Sequence, residues 1–311
     1  MTIFVGLAVV VAAATISRHA VTAPGPLAPL SGTMIDAGRG RPVVLIIPGS
    51  GPTDRDGNSP LGISAAPYRL LAEALAAKGV SSVRSDKRGM FGSKTAVADA
   101  NAVTIGNYVS DVASWVGAVR KASGAKCVWL IGHSEGGLIA LAAAQRAGLC
   151  GVVLVAAPGV PPGQTLRAQL RANPANAPLL PDAFRILDSL QAGVKVDVAR
   201  TAPPLQRLFA PQVQGYLIEL LQQRPAEMAG AVPLPLLIVA GTTDLQVPVS
   251  DAEALAKAQP RARLALITGM NHVLKAAPAD RAGNFATYGD PSLPVVPALV
   301  EAIAGFVSAR R

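Results

Sequence analysis

The sequence predicts an α/β chain built on a mostly parallel central sheet flanked by helices, with a helical cap inserted between two of the sheet strands. Three observations predict it. Short β-branched runs alternate with longer stretches of helical period, the order expected when neighbouring strands are joined through helices. The strand runs are apolar throughout rather than alternating, as strands covered on both faces should be. One segment, residues 160–232, breaks the rhythm: it carries several prolines and amphipathic stretches such as "DAFRILDSLQAG" and "QVQGYLIELLQQ", but no strand-like run.

Taken in order, the chain begins with the apolar run "IFVGLAVVVAAATI", Ile3 to Ile16, which is short for a membrane-spanning helix and suits the core of a signal peptide. Small residues at "VTA" offer a cleavage site ending at Ala23. Residues 1–23 are therefore expected to be a signal peptide or an N-terminal anchor of an exported protein, periplasmic or secreted. No other stable membrane insertion is expected. The Pro-rich "TAPGPLAP" reads as a linker, and the sheet domain is expected over 24–159 and 233–311, with the cap between.

Six strands are expected: "PVVLIIPG" (Pro42 to Gly49), "VSSVRSD" (Val80 to Asp86), "CVWLIG" (Cys127 to Gly132), "GVVLVAAP" (Gly151 to Pro158), "PLLIVAG" (Pro235 to Gly241) and "ARLALITG" (Ala262 to Gly269). Helical patterns fall between and after them, in "YRLLAEALAAKG", "TIGNYVSDVASWVGAVRKAS", "SEGGLIALAAAQRAG", "SDAEALAKAQ" and "PALVEAIAGFVSAR".

Composition narrows the function classes. With 311 residues, 50% apolar and 15% charged, the chain can bury a large core, and disorder is excluded. Mean hydropathy is +0.39, owing to the apolar N-terminus and abundant Ala and Val rather than to a membrane bundle. The net charge of +9 comes from scattered residues, and with only 4% aromatics no basic, stacking groove for nucleic acid is visible. Two cysteines, Cys127 and Cys150, lie at the starts of strand runs. The spacing is not that of a zinc site. Two inert buried thiols are the plainer reading; if the strands are parallel neighbours, a disulfide is open to them.

Chemistry concentrates at "IGHSEGG", Ile131 to Gly137, where a buried strand ends in G-x-S-x-G and turns at once into a helix. That context reads as a nucleophile elbow: Gly132 and Gly136 let backbones cross closely, and Ser134 is held in a strained, exposed turn. The Glu135 N–H would then face a developing oxyanion at a helix N-terminus. A serine needs a base. Of three histidines, His19 lies in the leader and His133 adjoins Ser134, which leaves His272 in "ITGMNHVLK" beyond the last strand. Asp244, in "VAGTTDLQVP" after the preceding strand, would orient that base and gives the chain order Ser, Asp, His. The loop "IPGSGPTDRDGNSP" after the first central strand should supply a second oxyanion donor, the Ser50 N–H or, as alternate, that of Gly51. Asp54, Arg55 and Asp56 read as an ion-paired brace for this loop, with Arg88 as a candidate partner.

Taken together, "PGSGPTDRDGN", "SDKRGMFGSK", "GHSEGG", "GTTDLQVP", "GMNHVLK" and the C-terminal "NFATYGDPSLPVVPALVEAIAGFV" resemble the serine α/β-hydrolases, and within them a bacterial esterase-like group related to the serine aminopeptidases. The resemblance spans about residues 42 to 311 and departs from the usual pattern by an extra residue in "RGMFGS". It implies an α/β-hydrolase fold and cleavage of small carboxylic esters through an acyl-enzyme, with no metal or organic cofactor required. A peptidase or amidase gripping a substrate amine through a cap carboxylate (Asp182, Asp188, Glu219 or Glu227), an acyltransferase, and a silent binding protein are the alternatives. Cap residues Leu166, Leu170, Phe184, Leu187, Leu208, Phe209 and Tyr216 would either line an acyl pocket or pack the cap itself.

Overall fold

The structure is a computed structural model that describes residues 16–309. The first half of the chain runs β1 (Ser17–Ala23), β2 (Leu30–Asp36), β3 (Val43–Ile47), α1 (Pro67–Ala77), β4 (Ser81–Ser85), α2 (Ile105–Ser123), β5 (Val128–His133), α3 (Glu135–Ala143) and β6 (Leu149–Val155). Five helices follow without a strand: α4 (Pro162–Arg171), α5 (Leu180–Gln191), α6 (Pro203–Leu208), α7 (Gln214–Leu221) and α8 (Pro225–Gly230). The chain then closes with β7 (Leu236–Gly241), α9 (Val249–Ala258), β8 (Arg263–Ile267), α10 (Arg281–Ala286) and α11 (Pro297–Ser308).

The strands form one sheet in the order β1-β2-β4-β3-β5-β6-β7-β8, parallel from β4 to β8 and antiparallel at β1 and β2. The period of two along a strand sends alternate residues to opposite faces. In β3, Val43, Leu45 and Ile47 join one core with α2, α3, α8 and α9, whereas Val44 and Ile46 join a second core with α1 and α11. Both sets are buried, which is why these strands read as unbroken apolar runs.

The helices start and stop where their sequence allows. α2 opens on a reciprocal capping box between Thr104 and Asn107 and stops at Gly124, whose φ of 70° an L-side chain would resist. Between them Tyr108, Val112, Trp115 and Val119 recur at helical spacing and are buried against the sheet.

Two expectations need revising. The leader and linker were expected to lie outside the sheet, and residues 1–15 fall outside the described residues. Ser17 to Ala23, however, form β1, paired residue for residue with β2 from Ser17 opposite Asp36 to Ala23 opposite Leu30. Among the described residues no helix is long and apolar enough to cross a membrane. The two cysteines are not free thiols: Cys127 and Cys150 form a disulfide with Cα atoms 5.2 Å apart, because β5 and β6 are parallel neighbours whose N-terminal ends lie side by side.

Candidate active site

All three residues singled out for chemistry stand at the C-terminal end of the parallel strands. At the end of β5 the chain turns into α3 through Ser134, with φ 54° and ψ −124°. A non-glycine residue held there stores about 1–3 kcal/mol of strain, sustained only where neighbours over-determine it. The neighbours here are backbones. A Cβ built on Gly132 would lie 2.4 Å from the Gly136 carbonyl oxygen, one on Gly136 2.3 Å from the Ile47 carbonyl oxygen, and one on Gly49 3.3 Å from Ser134 Cβ. The end of β3, the end of β5 and the first turn of α3 are thus packed main chain on main chain, and Ser134 is lifted on the crossing.

The base and its partner come from adjacent loops. His272 Nδ1 lies 2.8 Å from Asp244 Oδ2, and both side chains are buried. Asp244 also accepts from the N–H groups of Gln246 and Val247, at 2.8 and 3.0 Å. Burial alone would raise its carboxyl, but the facing His272 ring and these N–H donors hold it below the usual carboxylate range. An ionised Asp244 fixes the proton on His272 Nδ1 and leaves Nε2 as the free acceptor. The His272 loop is pinned in turn by fully buried Asn271, which donates to Thr287 Oγ1 at 2.7 Å and accepts from the Lys275 N–H at 3.0 Å.

Two main-chain donors flank the serine. Glu135 opens α3, so its N–H has no intrahelical acceptor. Neither it nor the Ser50 N–H finds an acceptor among the described residues. Gly51 beside Ser50 takes a φ of 67°, and Thr53 Oγ1 donates to the Ser50 carbonyl at 2.9 Å, closing the loop. The brace expected around this loop exists with different partners: Arg55 pairs with Asp86 and Asp56 with Arg84, whereas Arg88 turns away to a buried pair with Asp111. The extra residue of the "RGMFGS" turn is absorbed by Phe91 at φ 45°, while Gly92 and Ser93 still bond to Asp86.

The sequence gives no sign of a third layer behind these groups. His133, read as merely turned away, is buried. Its Nε2 lies 2.9 Å from the His272 carbonyl oxygen and its Nδ1 2.8 Å from the Tyr68 hydroxyl, which accepts from the Gly49 N–H at 3.0 Å. A carbonyl can only accept, so Nε2 carries the proton and Nδ1 accepts from Tyr68. Burial, reinforced by the nearby His272 ring, pushes the His133 imidazole down to about 3, so it stays neutral in its bridging role. This chain of bonds ties the Gly49 loop to the backbone of the base. The His133 ring centroid lies 4.8 Å from that of His272, which places the elbow and the base loop in contact.

The cap spans the helices between β6 and β7. Leu187 and Phe209 are fully buried in its own core, with Leu166, Leu170 and Phe184 packed against them. Leu208 is exposed and Tyr216 packs onto the sheet core. Of the cap carboxylates, Glu219 accepts from the Ile105 N–H at the start of α2, Asp188 pairs with Arg167, Asp182 pairs with Arg185, and Glu227 is exposed in the first turn of α8. Gln169 of α4 reaches the Gln246 carbonyl at 3.1 Å, joining the cap to the Asp244 loop. Beneath that junction an open pocket of about 480 Å3 is lined by Leu61, Gln169, Leu245, Gln246, Phe285 and Tyr288, among others.

Comparison with known proteins agrees with this architecture. Residues 61–276 match the hydrolase family described as serine aminopeptidase. Esterase EstD of Thermotoga maritima is 25% identical over 239 residues, which cover 75% of this chain and 54% of that protein, so the chain spans about half the length of this curated relative. Among solved structures, an esterase from Pyrococcus furiosus shares the fold with a TM-score of 0.55 at 18% identity, covering 83% of each chain. A dienelactone hydrolase from Anabaena variabilis has the same TM-score of 0.55 at 15% identity, covering 95% of this chain and 98% of its own. With the family matched over more than half its length, on a mostly parallel eight-stranded sheet flanked by helices, the chain belongs to the serine aminopeptidase family of α/β-hydrolases.

Proposed function

We propose that this protein is a serine esterase that cleaves small carboxylic esters through an acyl-enzyme. The observation that carries the proposal is the Asp244–His272 hydrogen bond at the same end of the sheet as the strained Ser134. In this reading Ser134 Oγ attacks the acyl carbonyl while His272 Nε2 takes its proton. Asp244 holds the tautomer and stabilises the imidazolium. The Glu135 and Ser50 N–H groups receive the oxyanion, and the collapsing intermediate releases the alcohol, protonated by His272. Water activated by the same histidine then frees the acid.

Of the four cap carboxylates weighed as amine anchors, Glu227 is exposed on α8 and is the one anchor left to the peptidase alternative, whereas Glu219, Asp188 and Asp182 are engaged within the protein, which favours an ester over an amine-bearing peptide. The similarity to named esterases points the same way. Export is proposed with the activity, since a disulfide between Cys127 and Cys150 persists in an oxidising compartment.

The test is turnover of p-nitrophenyl esters from acetyl to long acyl chains, with amino-acid anilides alongside, by the wild type and Ser134→Ala. Ester turnover lost in Ser134→Ala is the expected result. Anilide cleavage faster than ester cleavage, or esterase activity surviving in Ser134→Ala, would overturn the proposal.

A further inference from the structure

The Gly49–Ser50 peptide is held by a side chain that belongs to neither the elbow nor the base. Lys87, two residues beyond β4, donates from Nζ to the Gly49 carbonyl oxygen at 2.7 Å. Lys87 also lines a small cavity of about 40 Å3, together with Pro48, Tyr108, Asp111 and Glu135. No carboxylate lies within ion-pair distance of the Lys87 ammonium among the described residues; its further contact is the Tyr108 ring, with Nζ 5.9 Å from the centroid. A half-buried ammonium whose direct partner is a carbonyl rather than a carboxylate is costly to maintain. Burial accordingly lowers its proton affinity, against the attraction of the Glu135 carboxylate.

The partner it has chosen is informative. In a trans peptide the carbonyl oxygen and the amide hydrogen lie in one rigid plane and point in opposite directions within it. With the Gly49 oxygen drawn to Lys87, the Ser50 N–H points the opposite way, and Gly49 itself packs close to the nucleophile, a Cβ built on it lying 3.3 Å from Ser134 Cβ. A cation on the carbonyl also polarises the amide, so its N–H becomes a stronger donor. On the other side of Gly49, the Tyr68 hydroxyl fixes the preceding amide at 3.0 Å, leaving this peptide plane little freedom.

We infer that Lys87 is a positioning residue for the oxyanion hole, its ammonium orienting and polarising the Gly49–Ser50 peptide so that the Ser50 N–H meets the oxyanion in the transition state. The inference rests on the esterase reading above. It separates Lys87 from a merely structural lysine, because its contribution is greatest where charge develops on the substrate oxygen and small in the ground state.

The experiment compares wild type, Lys87→Met and Lys87→Arg for kcat and KM on the best p-nitrophenyl ester, and for inhibition by a trifluoromethyl ketone that mimics the tetrahedral intermediate. Thermal melts check folding. Because losing a single oxyanion donor costs about 100-fold to 1,000-fold, losing only its support should lower kcat by about 30-fold in Lys87→Met, with KM shifted less than about threefold. The ketone should weaken by the same factor as kcat/KM, and Lys87→Arg, which keeps the cation, should recover much of the loss. Should methionine here fail to fold, Lys87→Gln keeps a polar amide in the cavity and carries the same comparison. A folded variant with kcat near wild type, a loss confined to KM, or unchanged ketone affinity would overturn the inference. Ser134→Ala, run in parallel, separates the two failures: if it abolishes turnover while the Lys87 variants do not, the esterase reading stands and the inference alone falls.

Discussion

Gly136→Ala is the sharpest probe of the backbone crossing that carries Ser134. The added methyl would meet the Ile47 carbonyl oxygen at 2.3 Å, the Pro48 carbonyl oxygen at 2.7 Å and the Ile47 carbonyl carbon at 2.9 Å. These are main-chain atoms at the end of a central strand and just beyond it, so no side chain can swing aside. Restoring an ordinary carbon–oxygen contact of about 3.4 Å requires α3 to retreat from β3 by about 1 Å. That motion opens the space between the Glu135 and Ser50 N–H groups and shifts Ser134 itself. A misplacement of about 1 Å costs on the order of 100-fold in rate, or about 2.7 kcal/mol of transition-state stabilisation. Stability should change less, because about 1–3 kcal/mol of overpacking is partly offset by a gain of about 1 kcal/mol in helix propensity. The assay is kcat at saturating ester, normalised to folded protein by its melting curve. Gly117→Ala, in α2 with open space around it, is the control and should leave kcat unchanged. A folded Gly136→Ala enzyme with kcat within threefold of wild type would refute the reasoning.

Other outcomes follow from the same geometry. Removing the disulfide as Cys127→Ser with Cys150→Ser should lower stability by about 3 kcal/mol, from the loop entropy of a 23-residue separation, seen as an earlier urea midpoint; an unchanged midpoint would contradict it. His133, at about 3 in the folded protein, lies below its unfolded value of about 6.5, so the unfolded chain binds the extra proton between those pH values. Its contribution is complete above about pH 6.5 and is lost as pH falls toward 3, with a slope of up to about 1.4 kcal/mol per pH unit that His133→Gln should remove from urea titrations. Arg88→Met leaves Asp111 buried without its partner and should destabilise by about 3 kcal/mol, whereas Arg88→Met with Asp111→Leu should recover most of it in the same titration.

What the sequence disclosed and what it concealed divide along physical lines. β3, β5, β6 and β7 were legible because apolar residues on both of their faces leave an unbroken signature, whereas the polar β4 and the largely exposed edge strand β8 were legible from their places in the alternation. β1 and β2 were not: five of the seven residues of β1 are exposed, so its polar run resembles a tail, and its pairing is antiparallel at a sheet edge. Ser134 was legible because its turn demands glycines at 132 and 136. His272 followed from the scarcity of histidines. Lys87, Tyr68 and His133 left no trace because they act on main-chain atoms, and a carbonyl or amide exists at every position. Arg88 was drawn to the wrong acids because those of the Asp54–Asp56 loop were the ones read as a brace, whereas Asp111 comes from a helix whose orientation only the folded chain fixes.

The separateness of the cap's core has a bearing on how such a chain can change over time. Its apolar residues from Leu166 to Leu221 pack mainly on one another, and it departs from and returns to β6 and β7, neighbouring strands of the same sheet. Drift in that segment is therefore filtered by its own packing and by a few tethers, such as Glu219 on α2 and Gln169 on the Asp244 loop, and hardly at all by the crossing at Gly132 and Gly136. Lineages can renew the roof while inheriting the foundations unaltered, and a designer who grafts a foreign cap between Val155 and Leu236 works along a seam the molecule already has.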